Sequence, residues 1–262
     1  MKLPLPKKKQ LVVALIVCGA VSIVILVLCC FVSFFSNAKK QFELGQRYAE
    51  KKDYIEAAKC FRKAAERGHK DAQFKLGECY DQGNGVPGDS KEMIFWFRKA
   101  AEQGHVKAQH SLGKFYAEGY GVEQNYQQAV YWWKKAAEQG DADAQYDLGM
   151  ACIVERYGVK DNKQAVYWFR KSAEQGHAKA QYMLGLSNVE GFGTEKDYKQ
   201  AAYWFRKSAE QGNPDAQFKL GLQYLTGWGV EKDYRQGGYW IKKSADQGNE
   251  GAKALWEKIT SY

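Results

Sequence analysis

Bulky apolar residues recur along most of this chain with a period of 36 residues. Each period contains a Trp, a second bulky residue directly after it, two bases, two small residues, an acid, Gln and Gly. A fixed period of this length is typical of a protein built from stacked structural repeats. The tryptophans that mark the period are Trp96, Trp132, Trp168, Trp204 and Trp240.

The Trp-containing stretch of each repeat is predicted to be a helix with defined ends, called here the second helix. An Asp or Asn begins it, and a Glu or Gln stands three residues later, as in a capping box. A Gly follows it at the left-handed position that ends many helices. The predicted N-caps are Asp53, Asp89, Asn125, Asp161, Asp197 and Asp233, and the closing glycines are Gly68, Gly104, Gly140, Gly176, Gly212 and Gly248.

Another predicted helix, called here the first helix, precedes the second helix in each repeat. It carries Ala-Gln and then Leu-Gly, so that an Ala and a Leu four residues apart, such as Ala180 and Leu184, share one face. A Gly inside a helix costs about 1 kcal/mol relative to Ala. Its recurrence predicts that another helix packs closely at that point. The predicted N-caps of the first helices are His69, His105, Asp141, His177, Asn213 and Asn249.

Three parts of the chain depart from the pattern. Residues 41–68 form a shorter repeat that lacks the Gly-x-Gly-Val loop between the two helices of later repeats. Residues 155–159 lose the first Gly of that loop, and Gly-Val is shifted by one position. Residues 249–262 begin like a first helix but have no second helix after them, so we predict that they form a C-terminal capping helix.

The first forty residues differ in composition from the repeats. Residues 11–35 contain no charged side chain, and as a helix they would reach roughly 37 Å, enough to cross a hydrocarbon core of about 30 Å. Four lysines in the basic flank 1–10 precede this stretch and two follow it, which favours a cytoplasmic N-terminus. We predict a single transmembrane signal-anchor helix, with the repeats periplasmic or otherwise extracytoplasmic, at the inner membrane if the source is bacterial.

Cleavage of this segment is the alternative. The small residues Ser36-Asn37-Ala38 would suit cleavage after Ala38. The apolar region of a signal peptide usually has about 7–15 residues, and this one is longer.

The net charge of +9 does not indicate nucleic-acid binding when its distribution along the chain is taken into account. Residues 1–40 account for +6, and residues 41–262 account for +3 with both signs mixed. Because a nucleic-acid-binding surface requires clustered basic residues, we predict no nucleic-acid partner. The spacing of Cys60, Cys79 and Cys152 is not typical of a metal or redox site. A disulfide between Cys60 and Cys79 is left open as a possibility.

The Ala-Gln-x-x-Leu-Gly-x-x-Tyr run, the Gly-x-Gly-Val loop and the Trp-x-x-Lys-Ala-Ala-Glu-Gln-Gly run resemble Sel-1-like repeats, which are relatives of tetratricopeptide repeats. The resemblance covers about residues 41–262. It implies an all-α fold, a right-handed α-solenoid superhelix of stacked antiparallel helix pairs. The domains would be a tetratricopeptide-like repeat at 41–68, five Sel-1-like repeats at 69–248 and the capping helix at 249–262.

The repeats show no arrangement typical of an active site. The marker tryptophans are predicted to be core residues between helices. His69, His105 and His177 share one repeat position, but Asp or Asn fills it in other repeats, so capping explains them better than metal binding. The Gly-x-Gly turns join helices and do not follow strands, unlike phosphate-binding loops. We predict no catalytic residue, no cofactor and no metal site.

The resemblance implies that the first helices line the concave face of the superhelix. Residues two positions after the repeat Ala would then point into a groove, and residues four positions further on would form the next inward row. The groove would be charged at its start and apolar toward the C-terminus. An aromatic and apolar groove suits a peptide or a partner helix. The alternative is that these side chains only pack between neighbouring repeats. The predicted partner-binding residues are Phe74, His110, Tyr146, Tyr182, Phe218, Met150, Leu186 and Leu222.

The sequence therefore predicts a membrane-anchored scaffold or adaptor that binds a protein or peptide and is not an enzyme. The family that the sequence resembles includes bacterial envelope adaptors, host-interaction factors and degradation scaffolds. An immunity-type role is one concrete version of the predicted adaptor function. The alternative is a cell-wall or β-lactam-binding envelope protein with enzymatic activity. Relatives of that kind carry a Cys pair in each repeat, which this chain lacks.

Overall fold

The computed structural model describes residues 36–261, which form α-helices, one short 3-10 helix and turns, with no strand in that range. The predicted all-α fold is therefore confirmed for these residues. The chain divides after His105 into an N-terminal and a C-terminal compact unit. The handedness of the superhelix stays a prediction.

The predicted signal-anchor helix, residues 11–35, lies outside the described residues together with the basic flank 1–10. Between residues 36 and 261, no helix has both the length and the apolar character needed to cross a bilayer. The anchor therefore stays a prediction from the sequence.

The N-terminal unit contains two helix pairs. In it α2 packs against α3, and α3 packs against α4. Gly45 in α1 lies against the Phe61 ring of α2, so the short first repeat forms the same kind of pair as the longer ones. The helices are α1 (36–50), α2 (Tyr54–Ala65), α3 (Lys70–Gln82) and α4 (Ser90–Glu102).

The C-terminal unit contains four helix pairs and a closing helix, and each of its α-helices packs against the next along the chain. The irregular loop at 155–159 begins with a short 3-10 helix, Glu155–Tyr157. The α-helices are α5 (Val106–Glu118), α6 (Tyr126–Glu138), α7 (Ala142–Ala151), α8 (Asn162–Glu174), α9 (Ala178–Glu190), α10 (Tyr198–Glu210), α11 (Pro214–Thr226), α12 (Tyr234–Asp246) and α13 (Glu250–Thr260).

The predicted helix starts are confirmed by their capping bonds. In every second helix the N-cap carboxylate or amide oxygen accepts a backbone N–H, as Asp197 does from Lys199 and Gln200. In the first helices the same role falls to His69, Asp141, His177, Asn213 and Asn249. Each such cap stabilises its helix by about 1 kcal/mol.

The Gly inside each first helix makes room for a large side chain of the paired second helix. A Cβ on Gly185 would lie 2.5 Å from the Phe205 ring, which is itself 1% exposed. Gly149 meets Phe169 and Gly221 meets Ile241 in the same way. The close approach predicted from the recurrent Gly is confirmed. Each buried Phe or Ile stabilises the pair by roughly 1.5–3 kcal/mol.

A buried glutamine joins three helices in each complete repeat. The amide nitrogen of Gln181 in α9 donates to the carbonyl oxygen of Ala173 at the end of α8, at 3.1 Å. Its amide oxygen accepts from Gln211, the C-cap residue of α10, at 2.8 Å. Gln145 and Gln217 make the same two contacts one repeat before and one repeat after.

The marker tryptophans contribute to the contact between neighbouring repeats. Trp204 packs with Val166 of the preceding repeat and with Leu184 of its own first helix. Trp132, Trp204 and Trp240 are less than a tenth exposed, which confirms the predicted core role for these three. Cys60, Cys79 and Cys152 are all buried free thiols, so no Cys60–Cys79 bridge is present.

The loop between the two helices of a repeat touches the backbone of the preceding repeat. Gly229 has a φ of +77°, and a Cβ there would collide with the carbonyl oxygen of Tyr198 at the start of α10. Gly193 meets the carbonyl oxygen of Asn162 in the same way. These glycines satisfy two requirements at once, a left-handed backbone and a close approach to another chain segment.

The replacement Gly229→Ala should destabilise the protein by clearly more than Gly212→Ala. Both glycines have positive φ, so each variant pays about 1–2 kcal/mol for placing a Cβ in the left-handed region. Gly212 has no atom within 4 Å of a built Cβ, whereas at Gly229 the backbone must also move. Chemical denaturation of both variants measures the difference, and equal losses would contradict the loop contact.

The replacement Gln181→Leu should lower the free energy of unfolding by about 1–3 kcal/mol, because the Ala173 carbonyl and the Gln211 amide lose their partner in the interior. Gln127→Leu is the control, since Gln127 is exposed and lies outside the capping pattern, so the change should alter stability by less than about 0.5 kcal/mol. Similar denaturation midpoints for the two variants would show that the buried amide is not needed.

Candidate functional site

The predicted partner-binding residues all lie on first helices. Phe74 lies on α3 in the N-terminal unit. The other seven lie in the C-terminal unit: His110 on α5, Tyr146 and Met150 on α7, Tyr182 and Leu186 on α9, and Phe218 and Leu222 on α11. These seven residues are called the groove row below. Within the C-terminal unit, successive repeats thus place an aromatic ring and an aliphatic side chain at equivalent positions.

The groove row is partly buried, because its inner edge contributes to the core. The Tyr146 ring lies 6.0 Å from Phe169, and the Tyr182 ring lies 5.9 Å from Phe205. Phe218 and Leu222 pack at the edge of the last core cluster. All seven residues keep an accessible fraction. They therefore pack between helices and present surface at the same time.

Phe74 is the exception among the predicted binding residues. Its ring is only 8% exposed, since His105 stacks on it at a centroid distance of 4.4 Å and Phe97 packs against its edge. Phe74 therefore offers little surface to a partner. The accessible part of the prediction lies in the C-terminal unit.

A capping histidine fixes the orientation of Tyr146. The His177 ring stacks on Tyr146 at 4.8 Å, and its Nδ1 accepts the backbone N–H of Ala180 at 3.1 Å. Nε2 therefore carries the proton and faces Asp143 Oδ1 at 3.2 Å. Burial lowers the pKa of His177 below its usual value, although Asp143 acts in the opposite direction. The neutral imidazole thus serves as cap, stacking partner and hydrogen-bond donor.

One end of the groove row is polar. His110 Nε2 lies 2.8 Å from Asp147 Oδ2, and its Nδ1 lies 4.0 Å from Asp141 Oδ1. His110 and Asp147 line an open cavity of about 350 Å³, together with Lys114 and Lys179. Toward α9 and α11 the row becomes aromatic and aliphatic. The sequence predicted a charged start and an apolar C-terminal part, but it did not predict the His110–Asp147 pair.

A second exposed aromatic row was not predicted. Each second helix of the C-terminal unit presents a Tyr that is about half exposed, such as Tyr203 at 50%. The ammonium group of Lys207, one turn later, lies 5.9 Å from the centre of that ring. The signal was present in the sequence, since a Tyr precedes each Trp there and a Lys follows it by four. The row consists of Tyr131, Tyr167, Tyr203 and Tyr239.

The described residues bring no activated nucleophile to either surface. Burial raises the pKa of the Cys79 thiol to about 11, and burial also raises the pKa values of Cys60 and Cys152. These thiols are therefore protonated at neutral pH and poor nucleophiles. A larger open cavity of about 1020 Å³ is lined by Arg206, Tyr224 and residues 230–236 of the C-terminal unit. Arg206 there donates a hydrogen bond to the Tyr224 hydroxyl.

Comparisons with known proteins give one consistent family. The model of the Sel1 repeat matches six consecutive segments, including the short first repeat that the sequence led us to expect as tetratricopeptide-like. A search of curated proteins finds no match. The six matched segments are 41–69, 70–105, 106–141, 142–177, 178–213 and 214–249.

Two solved structures resemble this chain over most of its length. A protective antigen of uropathogenic Escherichia coli with an SLR fold is 39% identical, with a TM-score of 0.81 over 85% of this chain and 48% of that chain. A Sel1 repeat protein from Oxalobacter formigenes is 34% identical, with a TM-score of 0.76 over 82% of this chain and 88% of that chain. This chain therefore spans about half the length of the E. coli antigen.

An immunity protein from Pseudomonas aeruginosa is 27% identical over 70% of this chain and 67% of its own, with a TM-score of 0.42. A superposition of that quality carries no argument about function. The family assignment rests on the six repeat matches and on the two structures above, which agree with the helix pairs, caps and glycines of the fold. The chain belongs to the Sel1 repeat family.

Proposed function

We propose that this protein is an interaction scaffold that binds a protein or peptide on the groove row of its C-terminal unit. The observation that carries the proposal is the row of aromatic and aliphatic side chains that stays accessible on successive first helices. A row of accessible apolar side chains of this kind marks an interaction surface more often than an isolated exposed residue does.

The spacing of the row favours a partner helix or an extended peptide. In each of three successive repeats an aromatic ring is followed four residues later by a flexible apolar side chain, as in Tyr182 and Leu186. Residues four apart lie on one helix face, so each repeat offers one apolar patch. A partner with apolar side chains at regular intervals can fill these patches, which is the helix-in-groove mode of recognition.

The aromatic rings are the expected anchors of that interface. Tyr146 and Tyr182 are oriented by contacts with His177 and Phe205, so they lose little side-chain freedom on binding. Rigid aromatic side chains contribute much of the binding energy in protein interfaces. The polar end at His110 and Asp147 would set the direction of the partner by its charge.

Truncation of Tyr146 and Tyr182 to Ala in the full chain should weaken partner binding at least about tenfold. An anchor residue costs about 2 kcal/mol or more when truncated, and 1.4 kcal/mol corresponds to tenfold. The readout is crosslinking in cells followed by affinity capture and identification of the captured protein. Tyr203→Ala, in the second aromatic row, is the matched control.

Two outcomes would contradict this proposal. Unchanged capture by the double variant would exclude the groove row, and loss of capture by Tyr203→Ala alone would place the interface on the second helices. Circular dichroism of each variant checks that the helices are retained. Turnover of cell-wall or β-lactam substrates by the purified full chain would support the enzymatic alternative instead.

We also propose that residues 11–35 anchor the protein in a membrane, with the repeats on the extracytoplasmic side. The support is the uncharged stretch of 25 residues and the excess of lysines before it. An immunity-type role, in which the groove row sequesters a toxin in the periplasm, is one concrete form of this proposal.

The topology can be tested with Lys163→Cys, an exposed position in the C-terminal unit. A membrane-impermeant maleimide should label this variant in cells whose inner membrane is intact. The parent chain is the control, because its three thiols between residues 36 and 261 are buried. Labelling that appears only after the cells are lysed would place the repeats in the cytoplasm and overturn the proposed orientation.

A further inference from the structure

We propose that His110, Asp141 and Asp143 in the C-terminal unit bind one divalent transition-metal ion, with zinc as the best fit. One ligand atom from each of these residues lies within 4.8 Å of the other two. Of the three, His110 and Asp143 line the open cavity at the polar end of the groove row. The inference does not depend on the identity, or the existence, of a protein partner.

The hydrogen bond on the far side of His110 leaves a lone pair facing the two carboxylates. Asp147 Oδ2 lies 2.8 Å from His110 Nε2. An ionised carboxylate only accepts, so Nε2 carries the proton in the neutral imidazole and Nδ1 is unprotonated. Nδ1 then faces Asp141 Oδ1 at 4.0 Å. A nitrogen lone pair and two carboxylates that lie this close together are suitable ligands for a cation between them.

Each candidate ligand is held by a partner outside the cluster of three. Asp147 orients His110, and the backbone N–H of Ala144 donates to Asp141 Oδ1 at 2.7 Å. Asp143 faces the protonated Nε2 of His177 at 3.2 Å. Metal ligands in proteins are oriented by outer hydrogen bonds of this kind, most often a carboxylate behind a histidine.

The repeat architecture does not account for His110 and Asp147. At the position of His110 the other repeats have Phe or Tyr, and at the position of Asp147 they have Glu, Lys, Ser or Met, with the acid, Glu43, in the short first repeat. The pair of Asp143 and His177 differs in this respect, since Asp71 with His105 and Asp215 with Asn249 make the same contact between successive first helices. The stacking of repeats thus explains the contact between Asp143 and His177, whereas His110 and Asp147 are departures from the repeat pattern.

The donor set suits zinc. Zinc takes histidine nitrogen and carboxylate oxygen at about 2.0–2.2 Å in a tetrahedral arrangement. The Asp143 side chain is 67% exposed, and while Oδ1 keeps its contact with His177 the second carboxylate oxygen is available to an ion. Three protein ligands leave a fourth position, which opens on the cavity of about 350 Å³. Water or a carboxylate or imidazole group from another molecule can complete the site.

The alternative to a metal ion between these groups is a second proton on the His110 imidazole. An imidazolium of His110 between Asp141 and Asp147 would satisfy the same charges without a metal. The two possibilities give different results in a zinc titration, and the chain contains only four histidines, so their imidazole signals can be followed individually by NMR.

The experiment uses the full chain, stripped of metal with a chelator and titrated with zinc chloride in a calorimeter. We expect one ion per chain, selective shifts of the His110 imidazole signals, and a higher unfolding midpoint in the presence of zinc. His110→Phe should reduce affinity at least tenfold. This variant keeps the fold, because Phe occupies the equivalent position as Phe74 and Phe218.

Two further variants separate the site from general histidine binding. Asp147→Asn removes only the outer carboxylate and should weaken zinc binding by about 10–100-fold. His105→Asn is the matched control, since it removes a similar Asp–His pair in the N-terminal unit and should leave the affinity unchanged. The absence of stoichiometric binding, or equal affinity in His110→Phe and the parent chain, would overturn the proposal and leave a protonated His110 as the occupant.

Discussion

The fold depends on a buried side-chain amide that must be fully hydrogen-bonded. Gln217 is completely buried, and it is satisfied only if the end of the preceding second helix and the Gln of its own second helix are both in place. A buried amide without hydrogen-bond partners raises the free energy of the folded state by about as much as several favourable contacts lower it. The hydrogen-bond network therefore fixes the positions of three helices along their axes relative to one another. Apolar packing alone would leave these positions less well defined.

This constraint explains how constant and variable positions are divided within a repeat. Residues of the network, the Gly that faces a ring and the small residues of the core are nearly identical from repeat to repeat. Their geometry then places the same outward positions in a regular row. Substitution there changes the surface without changing the frame, so His110 can stand where Tyr146 and Phe218 stand in other repeats. The groove row and the proposed zinc site both include residues at such outward positions, where substitution leaves the helix packing unchanged.

Much of the frame could be predicted from the sequence because its signals are local. An N-cap and its recipient N–H are three residues apart, and a Gly with positive φ needs no knowledge of distant residues. The repeat period then supplied the pairing of helices. The gradient of the groove row from charged to apolar followed from reading equivalent positions in successive repeats.

What the sequence did not reveal depends on contacts between residues that are far apart in the chain. Gln211 meets Gln181 across 30 positions within one repeat, and His110 meets Asp147 across 37 positions between neighbouring repeats. No local rule connects such residues, and only the packing of the helices brings them together. For the same reason His110 looked isolated, and no metal site was predicted there. The burial of Phe74 under His105 likewise follows from stacking.

The loop contact between repeats has a consequence for the length of the array. Gly193 and Gly229 touch the backbone carbonyl oxygens of Asn162 and Tyr198, atoms that every residue type possesses. The loop contact therefore does not require a particular residue type at Asn162 or Tyr198. A gene that gains or loses a segment encoding one whole repeat would produce a chain in which these loop contacts can still form, so only the side-chain contacts between repeats, such as that of Trp204 with Val166, would have to match for the array to change length.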